Sequence, residues 1–145
     1  MCINANNGHS QPKRVLTFGV FDLLHIGHVS LFERARKLGG ALTVAVQEDS
    51  MIKKYKPDAH VFYSTKERLY MVSSIKYVDS VVTYRDVDKD IKRIGFDILV
   101  VGPDQTHAGF QRARQWSEEN GKEVIVLSRT EGVSSTEIRG IKSNH

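Results

Sequence analysis

Short apolar runs alternate with amphipathic stretches along most of the chain, and the runs end at glycines or polar turns. Runs of four to seven mostly apolar residues are typical of strands that are buried on both faces of a parallel sheet. The pattern predicts strands over residues 14–19, 41–46, 78–83, 97–102 and 122–127.

The segments between these runs carry a helical period. In the first of them, apolar residues recur at Val29, Leu31, Phe32, Ala35 and Leu38, and a Gly-Gly pair follows. Helices are predicted over residues 27–38, 65–75, 87–94 and 108–120, with a last helix beginning at the capping-box residue Ser134. This alternation predicts an α/β fold, Rossmann-like and doubly wound, with a five-stranded parallel sheet and helices on both faces.

Two stretches fall outside the alternation. Residues 1–13 are polar and lack periodicity, so we predict a flexible leader followed by a single domain over residues 14–145. Residues 48–64 predict a long loop that carries Lys53, Lys54, Lys56 and His60. Loops of this length are often functional, and ligands of parallel sheets bind at the carboxyl ends of the strands.

Composition narrows the function classes. The 145 residues carry 21 Lys+Arg and 17 Asp+Glu, a net charge of +4 that suits a nucleic acid or a small polyanion. A single cysteine, Cys2, excludes an intrachain disulfide. No apolar run approaches the ~18 residues of a membrane span, and the first residues lack a signal-peptide core. We therefore predict a cytoplasmic protein that does not bind membranes.

The turn after the first predicted strand is the strongest candidate site. It contains His25 and His28 on either side of Gly27, near the predicted start of a helix. Unpaired N–H groups and the helix dipole favour a phosphate there, and Gly19 and Gly27 would let it approach the backbone. Imidazoles can stabilise the charge that develops during phosphoryl transfer. A zinc site is the weaker interpretation, because no third ligand lies nearby in the sequence.

Two segments make a family resemblance specific. Residues 19–28, GVFDLLHIGH, resemble the HxGH signature of the nucleotidyltransferase superfamily, and residues 129–136, RTEGVSST, resemble the RTEGISTT signature of cytidylyltransferases. Residues 66–68 and 75–82 resemble the ER and RYVDEV segments of the same family. The resemblance covers about residues 14–140 and is nearest to bacterial glycerol-3-phosphate cytidylyltransferases, which are single catalytic domains.

The resemblance implies a reaction and its participants. CMP would pass from CTP, accompanied by Mg²⁺, to a small phosphomonoester such as a polyol, sugar or amino-alcohol phosphate. The products would be pyrophosphate and a CDP-alcohol such as CDP-glycerol, used in capsule or cell-wall polysaccharide synthesis. A homodimer is also implied, with Tyr77, Val78 and Asp79 as candidates for its interface, although strand-core positions explain these residues equally well. Nucleic acid is not expected as a partner.

The same resemblance implies roles for individual residues. Catalytic roles fall on His25, His28, Lys53, Lys54 and Arg129. Acceptor binding falls on Asp49, Lys54 and Arg68. Nucleotide binding falls on Thr17, Phe18, Gly19, Phe21, Gly27, Gly102, Asp104, Arg129, Ser134, Ser135 and Thr136. No residue is assigned as a metal ligand, and Asp22 either orders the HxGH turn or caps the helix.

Two other functions stay open. Adenylyltransferases of the same superfamily, such as those for heptose phosphates, share HxGH but usually lack the arginine of RTEG, so Arg129 favours CTP. A non-catalytic nucleotide-binding module need not retain His25, His28 and Arg129 together. The sequence Gly102-Pro103-Asp104 replaces the Gly-Asp-Asp that is common in the family, which leaves the acceptor alcohol open.

Overall fold

A five-stranded parallel sheet forms the centre of the molecule. The computed structural model describes residues 12–128. The strands are β1 (Arg14–Gly19), β2 (Ala41–Gln47), β3 (Ser80–Tyr84), β4 (Ile98–Val101) and β5 (Glu123–Val126). They lie in the order β3-β2-β1-β4-β5, and every adjacent pair is parallel. The predicted parallel sheet is confirmed, and each strand matches its predicted range to within two residues.

Helices cover both faces of this sheet, as predicted. They are α1 (Ile26–Arg36), α2 (Asp49–Tyr55), α3 (Thr65–Ser73), α4 (Val87–Asp90) and α5 (Ala108–Glu119), with a short 3-10 helix at Ile91–Arg93 after α4. Adjacent side chains of β1 enter different cores because side chains alternate across a strand. Val15 belongs to the core that contains Phe32 of α1, whereas Leu16 belongs to the core that contains Phe110 of α5.

The predicted long loop over residues 48–64 is partly wrong, because α2 occupies its first part. The buried side chains of Met51 and Ile52 anchor this seven-residue helix. Two adjacent apolar residues are too few to reveal a helical period, so the sequence pattern resembled that of a loop. The loop is thus shorter than predicted, and Lys53 and Lys54 lie on the helix.

The order of the strands places the ligand edge. The chain builds β2 and β3 on one side of β1, and β4 and β5 on the other. In open α/β sheets, ligands bind in the crevice beyond the carboxyl ends of the two strands where this reversal occurs. The crevice therefore lies between the ends of β1 and β4, beside the turn that leads into α1.

The candidate interface residues make contacts within the chain. The Tyr77 hydroxyl donates to the Glu33 carboxylate at 3.2 Å. The Asp79 carboxylate accepts from Leu42 N at 2.8 Å and pairs with Arg36 at 2.8 Å. These contacts account for the residues within one protomer, and the homodimer stays a prediction.

Several predictions lie outside the described residues. They concern Cys2, almost all of the predicted leader and the predicted last helix from Ser134, so the division at residue 13 also stays a prediction. Among helices within residues 12–128, none has the length and apolar character needed to cross a bilayer.

Candidate active site

The turn between β1 and α1 holds two histidines in a reciprocal cap. His25 is the N-cap of α1, and its Nδ1 accepts from Gly27 N at 3.0 Å. His28 Nδ1 accepts from His25 N at 3.2 Å, and the two ring centroids are 4.0 Å apart. Because each Nδ1 accepts a backbone hydrogen bond, each neutral ring carries its proton on Nε2. The nitrogen that each ring has left for a ligand is therefore an N–H donor.

Burial keeps both rings neutral near pH 7. Burial and, to a lesser extent, the neighbouring His25 together lower the pKa of His28 to about 4. Burial also lowers the pKa of His25 below its usual value. A neutral imidazole matches the capping geometry, since protonation of Nδ1 would remove the acceptor that each cap requires. The pair therefore acts through hydrogen bonds.

The stability of the protein is expected to depend on this pair below neutral pH. The pKa of His28 is lower in the folded chain than its ordinary 6.5, so unfolding takes up a proton between pH 6.5 and 4. The free energy of unfolding should fall by about 2–3 kcal/mol as pH falls through this window. Urea titrations at pH 7, 5.5 and 4.5 measure this change. His28→Asn keeps an acceptor without a titrating ring and should flatten the dependence; an unchanged slope would contradict the assignment.

Phe21 packs its ring against the ring of His28. It is buried with a φ of 54°, and its ring packs edge-on against His28 at 5.5 Å and Phe32 at 5.2 Å. A Cβ at Gly19 would lie 2.5 Å from Phe21 Cζ. The ring of Phe21 therefore packs in the core, and Gly19 leaves room for that ring; contact of either residue with a nucleotide stays a prediction.

The side chains of Thr17 and Phe18, two predicted nucleotide-binding residues, make contacts within the protein. Both are almost fully buried. The Thr17 hydroxyl donates to Val100 O at 3.2 Å, and the Phe18 ring packs edge-on against Tyr84 at 4.9 Å. Their side chains thus serve the sheet and its core, and their contact with a nucleotide stays a prediction.

Arg68 is fully buried, and protein acceptors engage all of its side-chain nitrogens. A guanidinium has five N–H donors. Here they meet five acceptors: the carbonyl oxygens of Val20 (2.9 Å), Gln47 (2.7 Å) and Tyr63 (3.1 Å), the Asp49 carboxylate and the Thr65 hydroxyl (3.4 Å). No donor remains for a substrate phosphate. The predicted acceptor contact is therefore corrected: Arg68 joins the turn after β1 to the end of β2 and the start of α2.

Asp49, the first residue of α2, is held by this network. Burial raises the pKa of Asp49, but hydrogen bonds from Arg68 and Thr65 outweigh it, so the net pKa is lowered. The backbone N of Asp49 also donates to the Thr65 hydroxyl at 3.0 Å. The Asp49 side chain remains 37% exposed, so its contact with the acceptor stays a prediction.

Lys53 and Lys54 lie in the last turn of α2, and both are exposed. Since α2 follows β2 directly, it begins at the carboxyl edge of the sheet. The Lys54 ammonium lies 5.6 Å from the centroid of the Tyr55 ring. Both lysines therefore lie on a helix that begins at the carboxyl edge of the sheet, and their contact with phosphates stays a prediction.

Of the two alternatives predicted for Asp22, the structure contradicts the helix cap. Its carboxylate accepts from Phe62 N at 2.7 Å and from Tyr63 N at 2.8 Å. The cap of α1 is His25, so Asp22 does not cap that helix. Asp22 instead fastens the end of the loop over residues 56–64 to the turn that carries the histidines.

The turn after β4 contains a residue that no sequence pattern singles out. Gln105 N donates to Gly102 O at 3.1 Å, and the Gln105 side chain bonds both Gly102 N and Phe18 O. Asp104 is exposed in the same turn. Gly102 and Asp104 thus lie in the turn after β4, and their contacts with a nucleotide stay predictions.

His107 forms the same kind of cap at the start of another helix, and it was not among the predicted site residues. It caps α5, and its Nδ1 accepts from Gly109 N at 3.1 Å, as His25 Nδ1 accepts from Gly27 N. The signal that identifies it is the His-x-Gly spacing, which precedes both α1 and α5.

The family model described as cytidylyltransferase-like matches residues 16–141. The chain belongs to the cytidylyltransferase-like family. It is 36% identical over 136 residues to the glycerol-3-phosphate cytidylyltransferase of Staphylococcus aureus, with 88% of this chain and 92% of that protein covered. It is 38% identical over 129 residues to the bifunctional protein HldE of Escherichia coli, covering 87% of this chain and 27% of that longer protein.

A solved structure agrees with this membership. The lipopolysaccharide core biosynthesis protein from Thermoplasma volcanium superposes with a TM-score of 0.67 at 27% identity. The match covers 82% of this chain and 97% of that one. The protein is accordingly an enzyme of the nucleotidyltransferase class.

The described part of this cytidylyltransferase-like chain also has a groove outside the strand ends. It runs along α3 and is lined by Tyr63, Lys66, Glu67, Tyr70 and Met71. Neither histidine of the HxGH turn lines it. We place the site at the strand ends, because the capped histidines and the crevice coincide there.

The second signature of the family lies outside the described residues. Arg129, Ser134, Ser135 and Thr136 all belong to this segment, and their roles stay predictions. The described residues end at 128, two residues after the end of β5.

Proposed function

We propose that the enzyme transfers CMP from CTP to glycerol 3-phosphate or a similar polyol, sugar or amino-alcohol phosphate. A CDP-alcohol and pyrophosphate are the products. The carrying observation is the pair of neutral imidazoles fixed at the start of α1, beside the crevice between β1 and β4. The similarity to the Staphylococcus aureus glycerol-3-phosphate cytidylyltransferase supports the choice of nucleotide and acceptor.

The proposed chemistry is an in-line displacement at the α-phosphorus of CTP. An acceptor phosphate oxygen forms the new P–O bond, and the bond from the α-phosphorus to the bridging oxygen of pyrophosphate breaks. Negative charge moves onto the departing pyrophosphate. The Nε2–H donors of His25 and His28 would stabilise that charge, and such preorganised donors contribute most where charge develops. No covalent enzyme intermediate is required.

Positioning is the second proposed contribution of the protein. Two phosphate-bearing substrates repel each other, so holding them together needs fixed donors and positive charge. Lys53 and Lys54 would provide the charge from α2, while Arg68 fixes the start of that helix against the turn after β1. Arg129 and the hydroxyl groups of Ser134, Ser135 and Thr136 would contact the nucleotide.

Mg²⁺ is proposed to accompany the triphosphate. The carboxylates of Asp22 and Asp49 are engaged by backbone N–H groups and by Arg68, respectively. These residues therefore fit a cation that is bound chiefly through phosphate oxygens and water, as is common for Mg²⁺. The ion would supply charge neutralisation of the triphosphate.

A nucleotide panel tests the proposal. The purified protein is incubated with Mg²⁺, one of CTP, ATP, GTP or UTP, and one of several phosphomonoesters, and pyrophosphate release is measured. We expect turnover with CTP and glycerol 3-phosphate or a close analogue. Turnover with ATP and not CTP would establish the adenylyltransferase alternative. Nucleotide binding without turnover of any pair would favour the binding module.

We also infer a cytoplasmic homodimer that does not bind nucleic acid. The excess positive charge, +4 for the chain, would serve to bind small phosphates at the strand ends. Size-exclusion chromatography with light scattering distinguishes a dimer from a monomer of 16.4 kDa.

A further inference from the structure

The hydrogen-bond ladder between β1 and β4 stops short of the carboxyl ends of the strands. Its last registered pair is Thr17 with Val100. Val101 O accepts from Leu127 N at 3.0 Å, so Val101 faces the β5 side and its neighbour Gly102 faces β1. In a parallel ladder of this register, the next bond would run from Gly102 N to Phe18 O.

The side chain of Gln105 occupies the place of that missing bond. Gly102 N donates to Gln105 Oε1 at 3.0 Å, and Gln105 Nε2 donates to Phe18 O at 2.7 Å. A side-chain amide has the same donor and acceptor as a peptide group. Gln105 therefore satisfies both backbone groups and keeps Gly102 N and Phe18 O separated by the width of its side-chain amide. A direct hydrogen bond would bring these two atoms to about 2.9 Å.

The backbone presents this amide in a fixed orientation. Gln105 N donates to Gly102 O at 3.1 Å, which closes a four-residue turn over Gly102, Pro103, Asp104 and Gln105. Proline restricts its own φ and so limits the alternative shapes of the turn. The substitution that sets this chain apart from the common Gly-Asp-Asp pattern thus lies in the turn that carries the amide.

We propose that Gln105 is a positioning residue that holds the β1–β4 crevice open for the nucleotide. The inference rests on the proposed function in one respect, namely that the nucleotide binds in this crevice. The two strands that Gln105 separates are those that flank the reversal in strand order, where ligands of such sheets bind. Without the amide, Phe18 O and Gly102 N can pair directly and narrow the entrance.

Two substitutions test the hydrogen bonds of the amide: one changes only its donor, and the other removes both its donor and its acceptor. Gln105→Glu keeps an acceptor for Gly102 N but sets a carboxylate oxygen against Phe18 O. Gln105→Leu removes both bonds and permits the direct ladder bond. For each we expect the KM for the nucleotide to rise tenfold or more, with kcat and the KM for the acceptor within threefold of wild type. A tenfold change corresponds to about 1.4 kcal/mol of binding free energy.

The chain provides a matched control in Gln115. This glutamine is exposed on α5 and donates to the Glu119 carboxylate at 3.1 Å. Gln115→Glu and Gln115→Leu make the same chemical changes away from the crevice, so all three kinetic constants should stay at their wild-type values.

The outcomes distinguish this proposal from a structural role and from failure of the proposed function. A nucleotide KM within twofold of wild type in both Gln105 variants would overturn it. A fall in kcat with a similar rise in both KM values and a lower melting temperature would also overturn it, because that combination indicates a general structural role. If the wild-type protein turns over no nucleotide, calorimetry with CTP and ATP replaces kinetics: tenfold weaker binding by Gln105→Leu supports the proposal even though the proposed function has failed. Equal binding overturns it.

Discussion

Replacing His25 with alanine is expected to lower the turnover number by about 10²–10³-fold, the usual cost of losing one preorganised donor at a developing charge. The substitution removes an Nε2–H donor that we propose stabilises the charge on the departing pyrophosphate. His28 keeps its own anchor, since its Nδ1 accepts from the backbone N of residue 25. Steady-state kinetics with CTP and the acceptor measure the change.

His107→Ala is the matched control for this prediction. His107 caps α5 with the geometry that His25 uses at α1, since each Nδ1 accepts from the glycine two residues later, at 3.1 and 3.0 Å. Each alanine substitution removes a cap and should cost about 1 kcal/mol of stability. Similar stability losses with loss of turnover only in His25→Ala would support the assigned role. Comparable turnover in the two variants would contradict it.

The largest effect on stability is expected from Arg68→Met. The substitution leaves the carbonyl oxygens of Val20, Gln47 and Tyr63 without their donor and removes the partner of the Asp49 carboxylate. A buried carbonyl oxygen that loses its donor costs about 1–3 kcal/mol, so the three together should cost about 3–5 kcal/mol, while the loss at the 37% exposed Asp49 carboxylate adds little. We expect the free energy of unfolding to fall by that amount, as measured by urea denaturation followed by circular dichroism.

Two further arginine variants show whether burial is the cause. Arg112 pairs with Asp88 at 2.7 Å, but its side chain is 62% exposed, so Arg112→Met should cost no more than about 1 kcal/mol. Arg68→Lys keeps the positive charge but loses the planar fork that reaches separate acceptors, so its cost should lie between those of the two methionine variants. A similar cost for Arg68→Met and Arg112→Met would show that the network contributes little.

Local pattern was sufficient for the sheet and the histidine turn. Each strand contains a run of mostly apolar residues, which are buried in the inner strands β1, β2 and β4 and partly buried in the edge strands β3 and β5, and such runs leave a clear signal in the sequence. The α1 turn was also predictable, because His25, Gly27 and His28 are neighbours in sequence and the cap that they form is local. Helix α2 was missed because its two buried residues, Met51 and Ile52, are adjacent and show no period.

Long-range pairing explains what could not be predicted in the site. Gln105 bonds Phe18 across 87 residues, Arg68 bonds Val20 across 48, and Asp22 bonds Phe62 across 40. Each polar side chain has a local interpretation as plausible as the real one, and only the folded chain shows its distant acceptor. A motif identifies a segment without stating which way each side chain points, so the burial of the Thr17 and Phe18 side chains could not be predicted from it.

The two bonds at Tyr63 give the enzyme a loop whose length is free to vary. Asp22 holds Tyr63 N, and Arg68 holds Tyr63 O, so the chain is clamped just before α3 begins. The other end of the loop leaves α2, which Arg68 also anchors through Asp49. Residues 57–61 thus join two fixed points, and doubling the length of such a connection costs only about 0.6 kcal/mol in closure entropy. Insertions there can reshape the rim of the site while the histidines and the strand ends stay in register.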